Sequence, residues 1–143
     1  MQLSEDYIVG LVDGEGSFTA FVRNLKDSTE RVRRTRIEPR FYIKLIEKDK
    51  DVLYALRDCF GCGSVYYQKD VRKNHQNCYR YEVFNRRELK EIIIPFFTAH
   101  QLKLLSKQKD FKIFCDLMRR IEKNEHLTTD GLQRIYKLKQ QMH

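Results

Sequence analysis

The sequence lacks the features of a membrane-spanning or secreted protein. Its 143 residues contain no apolar stretch close to the ~18 residues that a transmembrane helix needs. The acidic start, Met1 to Asp6, has none of the basic residues that open a signal peptide. With only four cysteines and no secretory signal, we expect reduced thiols rather than a disulfide framework. No low-complexity linker divides the chain, so we expect one domain over residues 1–143.

The chain is strongly basic. It has 28 lysine and arginine residues against 20 aspartate and glutamate residues, which gives a net charge of +8 and a pI of about 9.4. An excess of this size favours a polyanionic partner, either a nucleic acid or a membrane surface. Charge alone does not distinguish ribosomal, regulatory and nuclease proteins.

Capping residues and hydrophobic spacing predict the helices. Ser4 is a good N-cap for a first helix, which we expect the glycines of the segment from Asp13 to Gly16 to stop. Asp49 is expected to begin a short second helix. After Glu88 the chain has apolar residues at helical spacing to its end. Pro95 is expected to interrupt this helical region.

Period-two alternation of apolar and polar residues predicts two antiparallel hairpins, each with a buried and a solvent-facing side. With the helices, this gives the order α-β-β-α-β-β-α-α and an α+β fold, in which helices cover one face of a four-stranded sheet. The predicted strands cover residues 18–23, 34–45, 65–72 and 80–84.

The segment from Ile8 to Gly16, with the sequence IVGLVDGEG, resembles the signature of the LAGLIDADG homing endonucleases. Every position matches by identity or close chemical type except Val9 and Gly14, which each replace an alanine. The predicted element order is also similar to that family, as are segments 106–111 and 126–132. The resemblance covers nearly the whole chain and implies a curved, antiparallel DNA-binding sheet backed by helices.

The glycines of this segment have a physical role of their own. Gly10 and Gly14 are four residues apart and share one helix face, where a second backbone can approach closely. The chain has only one copy of the segment, so we expect the partner helix to come from a second copy in a two-fold homodimer. The predicted interface residues are Ile8, Gly10, Leu11 and Gly14.

In such a pair the two Glu15 carboxylates converge, and carboxylates beside a polyanion suit a hard divalent cation, Mg²⁺ by default. The resemblance implies that Glu15 and the backbone carbonyl of Gly14 hold the metal ions, with Ca²⁺ or Mn²⁺ as substitutes. Two-metal chemistry activates a water molecule and neutralises the leaving 3′ oxygen. The alternative is a merely acidic helix end. Asp13 is expected either to cap or to orient the interface helices.

Two further residues are predicted to be catalytic from the resemblance. Glu47, at the end of the long strand, would order the attacking water or bias metal occupancy; the alternative is a solvated strand end. Lys107 shares an apolar stripe with Leu104 and Phe111, so its ammonium should lie along the protein body. The family places a lysine near this point to stabilise charge at the scissile phosphate. The alternatives for this role are Lys103 and Lys109.

The solvent-facing phase of the strands predicts the DNA interface. It mixes arginine with glutamate, glutamine and tyrosine, which is typical of base reading, whereas a purely electrostatic binder would carry mainly lysine and arginine. The alternative is an ordinary solvated sheet face. The predicted DNA-facing residues are Thr19, Phe21, Arg23, Arg34, Arg36, Glu38, Arg40, Tyr42, Lys44, Tyr66, Gln68, Arg72, Arg80 and Glu82. Phosphate contacts are expected from Arg31, Arg33, Arg86 and Arg87.

A zinc site is the competing interpretation of one segment, because Cys59, Cys62, His75 and Cys78 have nearly zinc-finger spacing. Cys62 precedes the third predicted strand, however, and His75 and Cys78 follow its far end. At about 3.3 Å per residue the strand separates them by roughly 25 Å. This distance is too large for shared ligation.

Three functions are compatible with these patterns. The first is a homodimeric, Mg²⁺-dependent endonuclease that breaks both strands of double-stranded DNA at a long, near-palindromic site and promotes homing of its own intron or element. The second is an RNA-binding intron maturase, and the third is a catalytically silent DNA-binding regulator. The intact acid at Glu15 favours the first over the third. No membrane partner is expected, and we expect the protein in an organelle (chloroplast or mitochondrion) or the bacterial cytoplasm.

Overall fold

The computed structural model describes residues 1–22, 37–69, 72 and 76–143. Their order confirms the predicted α+β class. The elements are helix α1 (Glu5–Glu15), strands β1 (Gly16–Val22) and β2 (Ile37–Ile46), helix α2 (Lys50–Phe60), strands β3 (Ser64–Gln68) and β4 (Cys78–Val83), and helices α3 (Arg86–Glu88), α4 (Ile94–Ala99), α5 (Leu105–Glu122) and α6 (Thr129–Lys139). Short 3-10 turns lie at Glu47–Asp49 and Glu125–Leu127.

The four strands form one antiparallel sheet in the order β1-β2-β4-β3. A buried phase alternates with a partly exposed phase along β1 and along β2 as far as Ile43, as the sequence predicted, whereas Leu45 is only half-buried. The strand predicted over 65–72 ends at Gln68, so Arg72 lies beyond it. Because of the alternation in β1 and β2, one face of the sheet is covered by helices and the other is open.

The covered face carries an aromatic core. The ring of Phe18 on β1 lies 5.0 Å from the ring of Phe41 on β2 and 5.4 Å from that of Phe114 on α5. Phe97 on α4 closes the cluster at 5.5 Å. Aromatic pairs at these separations add stability beyond the area they bury. They fix α5 against β1, the strand that begins directly after α1.

The predicted end of α1 is confirmed, whereas the predicted interruption at Pro95 is wrong. Helix α1 ends at Glu15, within the glycine-containing segment 13–16, and Gly16 is its C-cap in an extended conformation. Pro95 does not interrupt its helix, because a π-helical turn over Leu89–Ile93 precedes it, in which the Ile94 N–H donates to the Leu89 carbonyl. The wider turn removes the need for the proline N–H and relieves the clash of its ring with the preceding turn.

Among the described residues, no helix is both long enough and apolar enough to cross a bilayer.

Candidate nucleic-acid interface and acidic site

Helix α1 delivers an exposed carboxylate to the edge of the open sheet face. Glu15 is the last helical residue and is exposed, directly before β1. The last turn of α1 has no basic residue to offset the negative end of the helix dipole. Carbonyl oxygens in a last turn, including that of Gly14, lack intrahelical donors. Glu15 and these carbonyls therefore form a set of hard oxygen donors with uncompensated negative charge, which suits a divalent cation.

Lys107 lies beside this acidic end. Its Nζ donates a hydrogen bond to the carbonyl of Gly16, the residue that follows Glu15. The side chain is half-buried, so the expected course along the protein body is confirmed, whereas the alternatives Lys103 and Lys109 are exposed. The predicted stripe is wrong at Leu104, which is 49% exposed because it precedes α5 as its N-cap.

Asp13 has a structural role, which distinguishes it from Glu15. It is only 8% exposed, and its carboxylate accepts from the backbone N–H of Lys103 at 2.9 and 3.1 Å and of Leu104 at 3.2 Å. Leu104 provides no side-chain cap for α5. A carboxylate from α1 therefore caps α5 and interacts favourably with the positive end of its dipole.

We expect Asp13→Ala to lower the free energy of unfolding by about 1–3 kcal/mol, because it leaves two partly buried N–H groups without acceptors. Urea denaturation measures the loss, and Asp13→Asn, which keeps one acceptor oxygen, should lose less. Asp6→Ala in the exposed first turn of α1 is the control and should cost a few tenths of a kcal/mol. Equal stability of Asp13→Ala and the wild type would contradict the capping role.

The glycine face of α1 is open. A Cβ atom placed on Gly10 or Gly14 would meet no atom within 4 Å. Leu11 is half-buried and contacts the core. The prediction for Ile8 is wrong, because this residue is 0% exposed in the core of its own chain and has no surface left for a partner. Tyr7, 47% exposed on the preceding turn, is the larger apolar group on this helix surface.

Glu47 lies at the same end of the β1-β2 pair as Glu15, because β1 begins at Gly16 and the antiparallel β2 ends at Ile46. Glu47 is exposed at the start of the 3-10 turn after β2, and its N–H donates to the Asn77 carbonyl at 3.0 Å. The register pairs Gly16 with Ile43, which places Glu47 about 13 Å further along the strand direction. Its role with water or metal stays a prediction.

Metal ligands from a single chain are few. In the described ranges, no group of three or more His, Cys, Asp or Glu side chains is arranged to hold a metal ion. Cys78 pairs with Gln68, whereas Cys62 precedes the opposite end of β3. The distance along the strands is roughly 20 Å, which supports the argument against zinc; the fourth residue of that set, His75, lies outside the described residues.

Most of the predicted DNA-facing residues that the structure describes lie on the open sheet face. Thr19 pairs with Arg40, Lys44 with Arg80, and Tyr66 with Arg80 from the other side. Phe21, at the outer end of β1, is 59% exposed. Arg72 is exposed beyond β3. Outside the described residues lie Arg23, Arg34 and Arg36, together with Arg31 and Arg33 of the phosphate set.

Glu82 departs from the predicted exposure. It lies on the open face but is only 4% exposed. Arg40 Nη1 donates to its Oε1 at 2.8 Å, and the hydroxyl of Tyr66 donates to its Oε2 at 2.7 Å. The prediction of a free, solvent-facing glutamate that accepts from a base is therefore wrong.

The same contacts alter the ionisation of their partners. A hydrogen bond from Arg40 Nη2 to Glu38 Oε2 at 2.9 Å is the main cause that raises the pKa of Arg40 above its usual value. Burial, and then the hydrogen bond to Glu82, raise the pKa of Tyr66. Both shifts favour the protonated form, in which Arg40 is charged and the Tyr66 hydroxyl donates its hydrogen.

Two arginines expected to contact phosphate already have protein partners. An Nη2 atom of Arg86 donates to the Ile37 carbonyl at 3.0 Å, and Arg87 pairs with Glu91 at 3.2 Å. Both residues are exposed. Their contacts with phosphate stay a prediction.

One surface residue was missed by the sequence patterns. Phe84 follows β4 and is 61% exposed, in the same shallow hollow as Ser64 and Glu82. Phe84 has the same parity as Arg80 and Glu82, so the period-two alternation of this strand could have predicted that it is exposed on the same face. An exposed phenylalanine beside arginines on a sheet face is suited to contact the methyl group of thymine.

The comparisons with known proteins agree with this arrangement. The family model described as LAGLIDADG endonuclease matches residues 8–118. The chain is 31% identical over 133 residues to a probable intron-encoded endonuclease 2 of Neurospora crassa, a match that covers 93% of this chain and 28% of that protein. The chain thus spans less than a third of the length of that relative.

Solved structures show the same fold. The homing endonuclease I-TnaI is 39% identical with a TM-score of 0.82, and the match covers 100% of this chain and 90% of that one. I-SmaMI bound to an uncleaved DNA target in the presence of calcium ions is 28% identical with a TM-score of 0.81, over 99% of this chain and 45% of that one.

Proposed function

The chain belongs to the LAGLIDADG endonuclease family, and from this premise we propose that it is a homodimeric, site-specific DNA endonuclease. It makes a double-strand break at a long, near-palindromic site by metal-dependent hydrolysis and so promotes homing of its intron or element. The observation that carries the proposal is the position of Glu15, which is exposed at the end of a helix with an open glycine face and directly before the first strand of the sheet.

The open glycine face supports the homodimer. Gly10 and Gly14 have no neighbour within 4 Å of a Cβ position, so a second backbone can approach this face closely. A second α1 related by two-fold symmetry would cover this face and bring the two Glu15 carboxylates to one point. Two-fold symmetry in the protein also gives the near-palindromic symmetry of the DNA site.

The residues at the acidic end fit a divalent metal. Glu15 and the Gly14 carbonyl provide oxygen donors, the type that Mg²⁺ and Ca²⁺ prefer, and the remaining ligands would come from phosphate oxygens, water and the partner's Glu15. A bound metal supplies Lewis acidity, which activates water and offsets charge on the leaving oxygen. Lys107, held by the Gly16 carbonyl, keeps a positive charge close to the scissile phosphate. Glu47 is proposed to order the attacking water.

The open sheet face provides DNA recognition. A net charge of +8 per chain attracts the duplex, and the two copies together double this excess. Arg40 and Arg80 are the described arginines on the central strands β2 and β4. An antiparallel ribbon of this kind can enter the major groove, where arginine side chains distinguish guanine.

Cleavage of a DNA library tests the proposal. The purified protein is incubated with Mg²⁺ and a randomised library of double-stranded DNA, and the cut ends are sequenced. We expect both strands to be cut at one long, near-palindromic sequence, and addition of EDTA to stop the reaction. Specific binding without cutting would instead indicate a silent regulator. Tighter binding to the host intron RNA than to any DNA would indicate a maturase.

A further inference from the structure

Glu82 is an unusual residue for an open sheet face. It pairs with Tyr42 in the middle of the sheet, on a face whose other long side chains are partly exposed, yet its own side chain is 5% exposed. A buried carboxylate is unfavourable unless its oxygens are paired and hydrogen-bonded. Both oxygens of Glu82 are hydrogen-bonded: Oε1 accepts from Arg40 on β2, and Oε2 accepts from Tyr66 on β3.

The partners of Glu82 are the side chains best suited to read bases. Arg40 on β2 donates through Nη1 to Glu82 and through Nη2 to Glu38. The Nε atom of Arg80 lies 3.5 Å from Glu82 Oε2, and its guanidinium carbon lies 3.7 Å from the ring centroid of Tyr42. Tyr66 on β3 reaches the same Oε2 atom. Glu82 thus joins side chains from three neighbouring strands.

We propose that Glu82 is a positioning residue, which holds Arg40, Arg80 and Tyr66 in fixed orientations for base recognition without contacting a base itself. This inference rests on the proposed DNA-binding function and deepens it. A free arginine loses conformational entropy when it binds, and an arginine already fixed by a carboxylate loses less. A fixed arginine also cannot shift to form hydrogen bonds with a wrong base pair, so pre-orientation increases specificity.

A direct contact of Glu82 with cytosine is the competing interpretation of the same residue. It would need a carboxylate lone pair aimed at the DNA, whereas Glu82 is covered by Arg40, Arg80 and Tyr66. The two roles differ in their signature. A base contact affects one base pair independently of the arginines, while a positioning residue acts only through them.

The test measures specificity position by position. The DNA site selected by the wild type is varied at each base pair, and binding is measured in EDTA, so that no strand is cut, for Glu82→Gln, Arg40→Ala, Arg80→Ala and the double variants with Glu82→Gln. A well-placed bidentate arginine contributes about 5- to 150-fold discrimination. We expect Glu82→Gln to lose at least fivefold discrimination at the base pairs that the arginine variants identify, and nowhere else.

In the Arg40→Ala background, Glu82→Gln should cause no further loss at the base pair assigned to Arg40. Affinity for random DNA should stay equal or increase, because the variant removes one negative charge. Glu122→Gln is the matched control: it removes the same charge from an exposed pair with Lys90 on the helical side, and it should keep the wild-type profile. Tyr66→Phe removes one hydrogen bond at constant shape and should give a smaller loss of the same kind.

Three results would overturn the inference. They are an unchanged Glu82→Gln profile, a loss at a single base pair that adds to those of the arginine variants, or a uniform loss of affinity together with reduced thermal stability. If Glu82→Gln does not fold, the Tyr66→Phe profile decides in the same way. A wild type without any preferred site would overturn the proposed function as well, whereas the three results above leave it intact.

Discussion

Glu15→Gln should lower the rate of DNA cleavage by about 10³-fold or more while affinity for the DNA site changes only a few-fold. The loss follows from the charge of the side chain, because an amide oxygen is a poor ligand for Mg²⁺ and metal ions contribute several kcal/mol to stabilising charge in the transition state. Single-turnover cleavage with saturating protein measures the rate, and gel shift or fluorescence anisotropy in EDTA measures binding.

The folded state should tolerate this substitution. Glu15 is exposed at the negative end of α1, where a carboxylate is unfavourable. Loss of its charge should therefore leave the free energy of unfolding unchanged or raise it by a few tenths of a kcal/mol, which separates lost chemistry from lost structure. Glu5→Gln removes the same charge at the other end of α1 and should cut DNA like the wild type. Equal cutting by Glu15→Gln would contradict the metal-ligand role.

Local patterns were sufficient to predict the faces of the sheet. Phe18, Ala20 and Phe41 alternate with solvent-facing residues at period two, and the side of a strand on which a residue lies depends only on its parity. The N-cap at Ser4 could likewise be found, since its side chain accepts from the backbone N–H of Tyr7, three residues ahead. Such features depend on neighbours in sequence.

Features that depend on distant residues could not be predicted in this way. Glu82 has the parity of an exposed residue and is buried beneath Arg40, which is 42 positions away in sequence, together with Tyr66 and Arg80. Asp13 caps α5 across 90 positions, so its sequence context alone left two roles open. Ile8 matches a family motif, but the packing of α1 on the aromatic core decides which of its faces remains for a partner.

The residues of the candidate site also differ in whether the sequence alone could identify them. The acidic end of α1 could be assigned from the motif, because Glu15 and Gly14 are contiguous in sequence. Lys107 could be predicted only alongside Lys103 and Lys109, and the fold distinguishes it, since the packing of α5 against β1 brings its ammonium to Gly16. Glu47 shows the limit: its place after β2 could be predicted, whereas its role with water or metal stays a prediction.

Gly10→Leu should weaken the dimer at least 30-fold without weakening the single chain. Within one chain the added side chain meets open space, and leucine is a better helix former than glycine by roughly 0.8 kcal/mol. At a two-fold contact between α1 helices the same side chain would be forced between two backbones. Overpacking costs about 1–3 kcal/mol per residue, and symmetry doubles this cost. Analytical ultracentrifugation across a dilution series measures the dimer dissociation constant.

Cleavage should report the same loss, because a site built from two Glu15 carboxylates is incomplete in a single chain. We expect double-strand cutting by Gly10→Leu to fall with the dimer population and to recover partly at high protein concentration, and Gly10→Ala should lie between the variant and the wild type. Gln133→Leu, which adds a leucine to an exposed position of α6, controls for added surface hydrophobicity and should leave the dimer intact. A Gly10→Leu protein that dimerises and cuts like the wild type would show that α1 does not form the interface.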